Sequence, residues 1–415
     1  FRTELTAIGA RVDKLEGRVG FLEDHQFSTT TKLNGEVIFA LSNLWGDRAG
    51  SQLGTPEYQN TETVLQDRVR LSFDTSFTGK DRLRTRLQAA NVTEFGPLTG
   101  PSAPGTNITR EGRFGFQRDN GNSVELDKLW YRVPFGDTAT IHLFAQGGNY
   151  DDLVPLLNPN FDASGTGSIS RFGRYNPIYR MGGQGAGVGL TLGAKSPIRI
   201  DLGYMAATSN NQQTGPRTGL ANDPGEDSGL FNGDFSALGQ LTFQPSKNFS
   251  IAATYIQSYG RRNIDSGTGS IASAVRANRP IVGNSYGLEA SFAFTPQLVL
   301  SGWAGYTRSI VLGTGQADTW NYAATLAIND IGTKGSTLGF VVGMEPKLTG
   351  SDLAVGNILG RRQDRDTGLH VEGFYKFKLT NNILITPGVI WLTAPGHDDR
   401  NDSIVIGTLR TTFTF

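Results

Sequence analysis

Apolar and polar side chains alternate with a period of two across residues 66–91, and this pattern constrains the fold more than any other feature of the chain. The alternation covers residues 68–77, the chain turns at Gly79, and the alternation resumes over residues 82–89. A period of two is typical of β-strands whose two faces meet different surroundings. The sequence therefore predicts a β-hairpin with one apolar face and one polar face.

The polar face of this hairpin carries five arginines: Arg68, Arg70, Arg82, Arg84 and Arg86. Like charges this close on paired strands repel each other unless they lie in wide aqueous surroundings or face carboxylates. A barrel with a water-filled lumen and an apolar outer face against lipid meets both demands. We therefore interpret the hairpin as a piece of pore wall.

The composition of the 415-residue chain fits a barrel with a wet interior better than a soluble domain. Hydrophobic residues make up 37% of the chain, which is little for the core of a soluble protein of this size. The 38 basic and 38 acidic residues give no net charge that would attract nucleic acid, so we expect no nucleic-acid partner. No apolar run approaches the roughly 18 residues of a membrane helix, whereas barrel strands need about 9–11 alternating residues.

The sequence contains little that points to catalysis, a cofactor or a metal. Cysteine is absent, which excludes disulfides, thiolate metal sites and thiol catalysis. No nucleophile elbow, phosphate loop or two-histidine metal motif occurs, so we expect no enzymatic activity and no cofactor. His142 and His370 stand singly on predicted lumen faces, where we expect solvated side chains. We interpret Asp398, Asp399, Asn401 and Asp402 as a solvated loop tip, with calcium binding as the alternative.

Residues 1–27 differ from everything that follows. Apolar residues spaced alternately three and four apart form a seam: Leu5, Ile8, Val12, Leu15, Val19 and Leu22. This spacing is typical of a coiled coil, and we prefer it to a helix lying on its own domain because no other helical pattern in the chain would receive it. The chain begins at Phe1 without an initiator Met or a signal peptide, which we interpret as a mature or fragmentary product.

Residues 28–415 repeat the two-residue alternation about sixteen times. Short turns alternate with long polar connections, among which we include residues 307–319. An up-and-down meander with two unlike ends gives this order, and outer-membrane barrels have short periplasmic turns and long outer loops. The final strand ends on Phe415, a terminal aromatic of the kind seen in such barrels. We predict an all-β, sixteen-stranded antiparallel transmembrane barrel preceded by a coiled-coil helix. An even strand count puts both termini on the periplasmic side.

The long connection 147–185 is the candidate functional segment, because it combines charged residues with aromatic ones. A barrel this wide leaves an aqueous channel, so its selectivity depends on whatever narrows it. We expect this segment to fold inward and face the arginines, the alternative being a surface loop over the mouth. The wall arginines are joined as candidate pore-lining and selectivity residues by Asp127, Lys128, Arg132, Asp151, Asp152, Arg171, Arg174 and Arg180.

Two segments resemble a known family. Residues 27–41, FSTTTKLNGEVIFAL, directly follow the heptad helix and resemble the entry to the barrel in cyanobacterial outer-membrane porins. These porins join an S-layer-homology domain to an OprB-type carbohydrate-porin barrel. Residues 129–137, LWYRVPFGD, resemble that family's central strand and turn. The resemblance implies a sixteen-stranded trimeric barrel, a periplasmic coiled coil and passive diffusion of small solutes. It also implies an upstream domain that binds peptidoglycan-linked polymer; that domain lies outside this sequence.

We therefore expect an outer-membrane homotrimer that contacts lipid and passes small hydrophilic solutes and inorganic ions. Its arginine-lined constriction is expected to favour anions. The first alternative is a carbohydrate-selective porin. The second is a protein that serves mainly as a structural anchor in the outer membrane, with the coiled coil in the periplasm. We expect contact with peptidoglycan-linked polymer only through the upstream domain.

Overall fold

The computed structural model describes residues 8–9, 11–12, 15–16, 30–46, 62–95, 109–208, 219–352 and 361–415. Sixteen strands in these residues form the barrel: β1 (Thr31–Trp45), β2 (Val64–Thr75), β3 (Arg82–Val92), β5 (Glu125–Phe135), β6 (Ala139–Gln146), β7 (Gly185–Leu192), β8 (Ile198–Ala207), β9 (Phe235–Ser246), β10 (Phe249–Gly260), β13 (Ile281–Ala293), β14 (Leu298–Val311), β15 (Gly315–Asn329), β16 (Thr337–Ser351), β17 (His370–Lys378), β18 (Ile383–Leu392) and β19 (Ile404–Thr414). Three two-residue strands lie in the connections: β4 (Arg118–Asp119), β11 (Asn263–Ile264) and β12 (Val275–Arg276).

Each barrel strand pairs antiparallel with the next, and the last strand closes the ring on the first. The closing ladder between β1 and β19 runs from Glu36 opposite Thr414 to Trp45 opposite Val405. A closed sheet has no free edge, so every strand finds backbone partners on both sides. The all-β, sixteen-stranded antiparallel barrel predicted from the sequence is confirmed.

The two faces of the sheet have opposite polarity. In β9, the inward-facing Gln240 and Thr242 are buried, whereas Leu241 and Phe243 point outward and are exposed by 52% and 43%. The same alternation in β1 exposes Phe39 by 49%. Apolar side chains around the whole outer surface require an apolar medium, which is what a lipid bilayer provides.

Long and short connections lie at opposite ends of the barrel, with one exception to the predicted order. The prediction of a long connection at residues 307–319 is wrong. Strand β14 extends to Val311 and β15 begins at Gly315, so only three residues lie between them. On the outward face of this extended hairpin, the side chains of Arg308 and Asp318 form a salt bridge of 2.9 Å. These polar residues therefore continue the ladder instead of forming a loop.

Both ends of the barrel chain lie beside the short turns. Thr31 pairs with Thr75 next to the turn of residues 76–81, and Thr414 pairs with Glu36 near the start of β1. Among the residues before β1, the structure describes helical positions at 8–9, 11–12 and 15–16. The other seam residues, Leu5, Val19 and Leu22, lie outside the described residues, so the coiled coil stays a prediction. No helix in the described ranges has the length and hydropathy to cross a membrane.

The apolar core lies inside the barrel, where connections pack against the wall. Phe114 and Phe116 from the connection after β3, and Phe161 and Phe172 from the connection after β6, are buried against inward-facing residues of β1 and β14–β19. A second buried cluster joins residues 150–179 to the inner faces of β5–β10. The connections therefore fill much of the lumen and leave a narrower passage.

We predict that Leu241→Arg lowers the free energy of unfolding by about 2–4 kcal/mol, because a charge near the middle of the lipid-facing surface loses its hydration. Urea titration of the protein in lipid vesicles, followed by tryptophan fluorescence, measures this loss. The control is Ala194→Arg in the exposed turn after β7, which we expect to leave stability unchanged. Equal stability of the two variants would contradict the assignment of the outer face to lipid.

Candidate functional site

The connection between β6 and β7, residues 147–184, contacts the inner wall on opposite sides of the barrel. The Tyr150 hydroxyl donates to Ser236 Oγ at 3.0 Å, and the Tyr179 hydroxyl donates to Gln240 Oε1 at 2.7 Å, both on β9. Asn176 Nδ2 donates to the carbonyl of Ala304 on β14 at 3.1 Å. These contacts tie the connection to several inward-facing parts of the wall.

Two buried charged residues of the last strands bind the backbone of this connection. Glu372 on β17 accepts from the amide of Ile169 at 2.5 Å and from the amide and hydroxyl of Ser170. Arg410 on β19 donates to the carbonyls of Ser168 at 3.1 Å and Gly167 at 2.7 Å. Hydrogen bonds to charged groups stabilise more than neutral ones, so these residues fix the segment to the wall.

Local backbone geometry gives the connection its shape. Asn158 Nδ2 donates to the carbonyls of Gly173 and Arg174 at 3.0 and 2.9 Å, which brings the two arms of the segment together. A Cβ at Gly167 would lie 2.1 Å from the carbonyl oxygen of Phe161, so only glycine fits there. The resulting fold turns the charged residues of the segment towards the hairpin β2–β3.

A cavity of about 820 Å³ lies between this connection and the wall. Ten of the predicted site residues line it: Arg68, Arg70, Arg86, Asp127, Lys128, Asp151, Asp152, Arg171, Arg174 and Arg180. Among the described residues, its charged lining comprises ten basic and six acidic side chains, so positive charge exceeds negative charge by four. The fixed charge of the cavity lining is therefore net positive.

Three of the predicted site residues, Arg82, Arg84 and Arg132, lie away from this cavity. Arg82 stands at the start of β3, four residues before Arg86, which corresponds to about 13 Å along a strand. Arg84 forms a salt bridge with Asp74 at 2.6 Å, and the guanidinium of Arg82 lies 4.7 Å from the ring centre of Trp130. Arg132 is opposite Arg82 in the ladder. These residues line the wall nearer the short-turn end.

Salt bridges neutralise part of the cavity lining. Arg86 pairs with Asp127 and Lys128 pairs with Asp152. Arg174 forms a salt bridge with Asp151 at 3.2 Å. Burial raises the pKa of Asp151, but Arg174 and Lys128 more than offset this effect, so its pKa lies below the usual value. The carboxylate of Asp151 therefore stays ionised beside the arginines.

Other arginines of the lining bind neutral groups. Arg70 donates to Gln88 Oε1 at 2.5 Å and to Ser164 Oγ at 2.7 Å. Arg180 donates to the carbonyl of Arg171 at 2.8 Å, and its guanidinium lies 4.1 Å from the ring centre of Tyr175. Neither contact cancels the charge, so these residues account for part of the positive excess.

Several functional contacts were not predicted from the sequence. Glu36 forms a salt bridge with Arg68 at 2.7 Å, and the same arginine donates to the carbonyl of Phe116 at 3.1 Å. The available signal was the position of Glu36 on the polar face of the first strand. The sequence also places the charges of Glu372 and Arg410 on the lumen faces of their strands. Their partners in the connection lie more than 200 residues away, so the contacts could not be predicted.

The expectation of solvated histidines is wrong. His142 is buried and its ring stacks on that of Trp130 with centroids 5.6 Å apart. His370 is buried between two carboxylates, with Nδ1 2.7 Å from Glu345 and Nε2 3.4 Å from Glu372. Connections that fold into the lumen cover both side chains and exclude the water expected there.

Three carboxylates of the outer connections approach each other. Ligand oxygens of Asp366, Asp398 and Asp399 lie within 4.8 Å of one another. Asp398 forms salt bridges with Arg400 at 2.6 Å and Arg361 at 3.3 Å, so arginines already balance part of its charge. Asp398 and Asn401 are buried, so the expectation of a solvated loop tip is wrong for these two residues. The salt bridges favour charge neutralisation over a calcium site.

Comparisons with known proteins agree with the fold. The family model described as "Carbohydrate-selective porin, OprB family" matches residues 1–415. A protein of Nostoc sp. described as uncharacterized is 39% identical over 443 residues, covering 100% of this chain and 70% of the relative. An uncharacterized protein of Synechocystis sp. is 37% identical over 442 residues, covering 100% of this chain and 74% of the relative.

Solved structures with the same architecture include a high-pH structure of Pseudomonas putida OprB. It has a TM-score of 0.61 and 13% identity, with 97% of each chain covered. The anion-selective porin from Comamonas acidovorans has a TM-score of 0.53 and 12% identity, with 93% of this chain and 99% of that chain covered. At these identities the likeness concerns the fold.

We predict that Glu372→Gln speeds hydrogen exchange at the amides of Ile169 and Ser170 by about tenfold or more, because hydrogen bonds to a charged acceptor contribute about 1.5–3 kcal/mol. Hydrogen-exchange mass spectrometry of residues 165–175 measures this change. The control is Glu62→Gln, an exposed carboxylate just before β2, which we expect to leave exchange unchanged. Unaltered exchange in both variants would contradict the anchoring role of Glu372.

Proposed function

Because the chain belongs to the OprB family of carbohydrate-selective porins, we propose that it passes small hydrophilic solutes and inorganic ions across the outer membrane by passive diffusion, with a preference for anions. The family and the barrel fold are those of outer-membrane channels. The observation that carries the anion preference is the cavity lining, in which ten basic side chains face six acidic ones. Clustered Arg and Lys side chains in a pore favour anions.

In this proposal, the inward-folded connection forms the constriction and the wall of β2–β5 supplies its fixed charge. The salt bridges of Asp127, Asp151 and Asp152 soften the positive field, so an anion is attracted without being held. Arg82, Arg84 and Arg132 would extend the positive lining from the constriction towards the short-turn end. Selectivity then follows from electrostatics along a water-filled path, without a conformational step.

A carbohydrate channel is the second candidate, and the surroundings of Tyr175 favour it. The guanidinium groups of Arg174 and Arg180 lie 4.8 and 4.1 Å from the centre of its ring. Tyr175 lines the cavity but is only 4% exposed, so the guanidinium groups beside it are the donors that would meet sugar hydroxyl groups. The family description names the same solute class.

We predict that Arg70→Gln lowers the chloride-to-potassium permeability ratio, because it removes a cavity charge that has no carboxylate partner in the described part of the chain. Reversal potentials in a potassium chloride gradient across planar bilayers measure this ratio. The control is Arg308→Gln, which removes an equal charge from the outer face of the barrel and should leave the ratio unchanged.

Three results would contradict the anion-porin proposal. Cation preference in the parent protein would contradict the assigned sign of the field. Sugar-driven liposome swelling faster than solute size allows would favour the carbohydrate channel. A small conductance that is insensitive to replacing Arg82, Arg84 and Arg86 by Gln would favour the structural anchor.

We also propose that residues 1–27 form a periplasmic coiled coil that joins three copies of the chain. Ile8, Val12 and Leu15 occupy helical positions and are exposed by 58%, 45% and 58% in the single chain. Apolar side chains at this spacing gain stability by packing against the same seam of another copy. The position of Thr31 beside the short turns supports a periplasmic location, since outer-membrane barrels have their short turns on that side.

We predict that the double variant Val12→Asp, Leu15→Asp lowers the temperature at which the trimer dissociates, because two charges would be buried in the seam. Semi-native gel electrophoresis after stepwise heating measures dissociation. The control is Arg11→Ala, Glu16→Ala, which alters outer positions of the same helix and should leave the temperature unchanged. Equal dissociation temperatures in both double variants would contradict the role of the seam.

A further inference from the structure

Three arginines, Arg113, Arg171 and Arg180, come together where the connection 147–184 meets the connection after β10. Arg171 and Arg180 also line the cavity. A Cβ at Gly267 would lie 3.2 Å from Arg171 Nε and 3.6 Å from Arg113 Nη1, so both guanidinium groups border this glycine. Arg180 adjoins them through its hydrogen bond of 2.8 Å to the carbonyl of Arg171. Like charges this close repel each other strongly away from bulk water.

The neutralising partners of this cluster are incomplete. Arg113 forms a salt bridge with Glu94 at 2.8 Å. Within the described ranges, Arg171 and Arg180 form no salt bridge, and buried donor atoms on both side chains, Nε of Arg171 and Nε and Nη1 of Arg180, lack a hydrogen-bond partner. Buried donors without acceptors are costly, and charged ones more so. The cluster therefore has N–H donors available for a hydrogen-bond acceptor that also carries negative charge.

The two arginines are held in position without that acceptor. The ring of Tyr175 lies 4.1 Å from the guanidinium of Arg180, and the carbonyl of Arg171 fixes one of its amino groups. Burial, followed by the charges of Arg180 and Arg113, lowers the pKa of Arg171 well below its ordinary value. A guanidinium still keeps its proton, so this direction reflects first the burial of the charge and then the repulsion by its neighbours.

We propose that Arg171 and Arg180 form a subsite for a doubly charged tetrahedral oxyanion, the chemistry shared by inorganic phosphate and sulfate. The inference rests on the proposed anion-conducting function and names the class of anion that the constriction favours. Planar guanidinium groups present pairs of N–H donors that match the oxygen atoms of such an anion. A halide offers a single charge and no fixed oxygen geometry, and a sugar hydroxyl offers no charge.

The surroundings of this subsite favour weak, reversible binding of an anion. It borders the cavity, which Arg171, Arg174 and Arg180 all line. Asp151, paired with Arg174 at 3.2 Å, supplies a nearby negative charge that opposes prolonged binding. Conduction requires binding that is strong enough to attract an ion and weak enough to release it. A selected oxyanion therefore slows the passage of chloride while it occupies the site.

Single-channel recording in potassium chloride with added potassium phosphate or potassium sulfate tests this inference. We expect each oxyanion to reduce the chloride current of the parent protein, measured at a pH above the second pKa of phosphate. Arg171→Gln and Arg180→Gln should each raise the half-blocking concentration by about tenfold or more, the loss expected for hydrogen bonds to a charged group. Arg171→Lys keeps the charge but loses the paired N–H donors of the guanidinium, so it should also weaken the block.

The matched control is Arg118→Gln, which removes a cavity arginine that is paired with Glu125 at 2.6 Å. We expect its half-blocking concentration to stay close to that of the parent protein. Equal weakening of the block in this control would overturn the inference, because a general field would then explain the effect. A normal anion-selective chloride current with no phosphate or sulfate block would overturn the subsite and leave the proposed function standing. A parent protein without channel activity would overturn both.

Discussion

Closure of the sheet is the constraint on which the rest of the structure depends. Lipid offers no hydrogen-bond partners, so each strand must find both of its neighbours within the protein. The ladder between β1 and β19 completes this requirement over ten residue pairs. Once the backbone is satisfied, the two-residue alternation assigns each side chain to lipid or lumen. Sixteen strands enclose more space than their own side chains fill, so the connections supply the interior core.

Arginines inside the barrel have two different roles that depend on their partners. Arg68 and Arg410 are almost fully buried, and each binds backbone carbonyls of the connections. Burying a charge is tolerated when hydrogen bonds satisfy it, so these two residues hold the interior together. Arg70, Arg171 and Arg180 lack carboxylate partners among the described residues and face the cavity. The arginines that bind the connections are thus compensated by hydrogen bonds, whereas these three keep an uncompensated charge beside the cavity.

The strand faces could be predicted because they follow a local rule: Phe39 points to lipid and Arg68 to the lumen within single strands. The depth of Arg82 relative to the cavity could not, because it depends on where the connection crosses the lumen. That crossing is set by contacts such as Glu372 with Ser170, which are 202 residues apart. The stacking of His142 likewise depends on the register between neighbouring strands, which a single strand does not reveal. Local periodicity therefore predicts which side chains of the wall face the lumen. The arrangement of the site depends on contacts between residues far apart in the sequence.

The anchoring of the connection by the last strand has a consequence for biogenesis. Arg410 belongs to β19, the final strand of the barrel, and it donates hydrogen bonds to the carbonyls of Gly167 and Ser168, more than 200 residues earlier in the sequence. The nascent barrel therefore lacks this anchor until its C-terminal ribbon has docked. The connection inside the lumen gains this contact with the wall only when the ring that surrounds it closes.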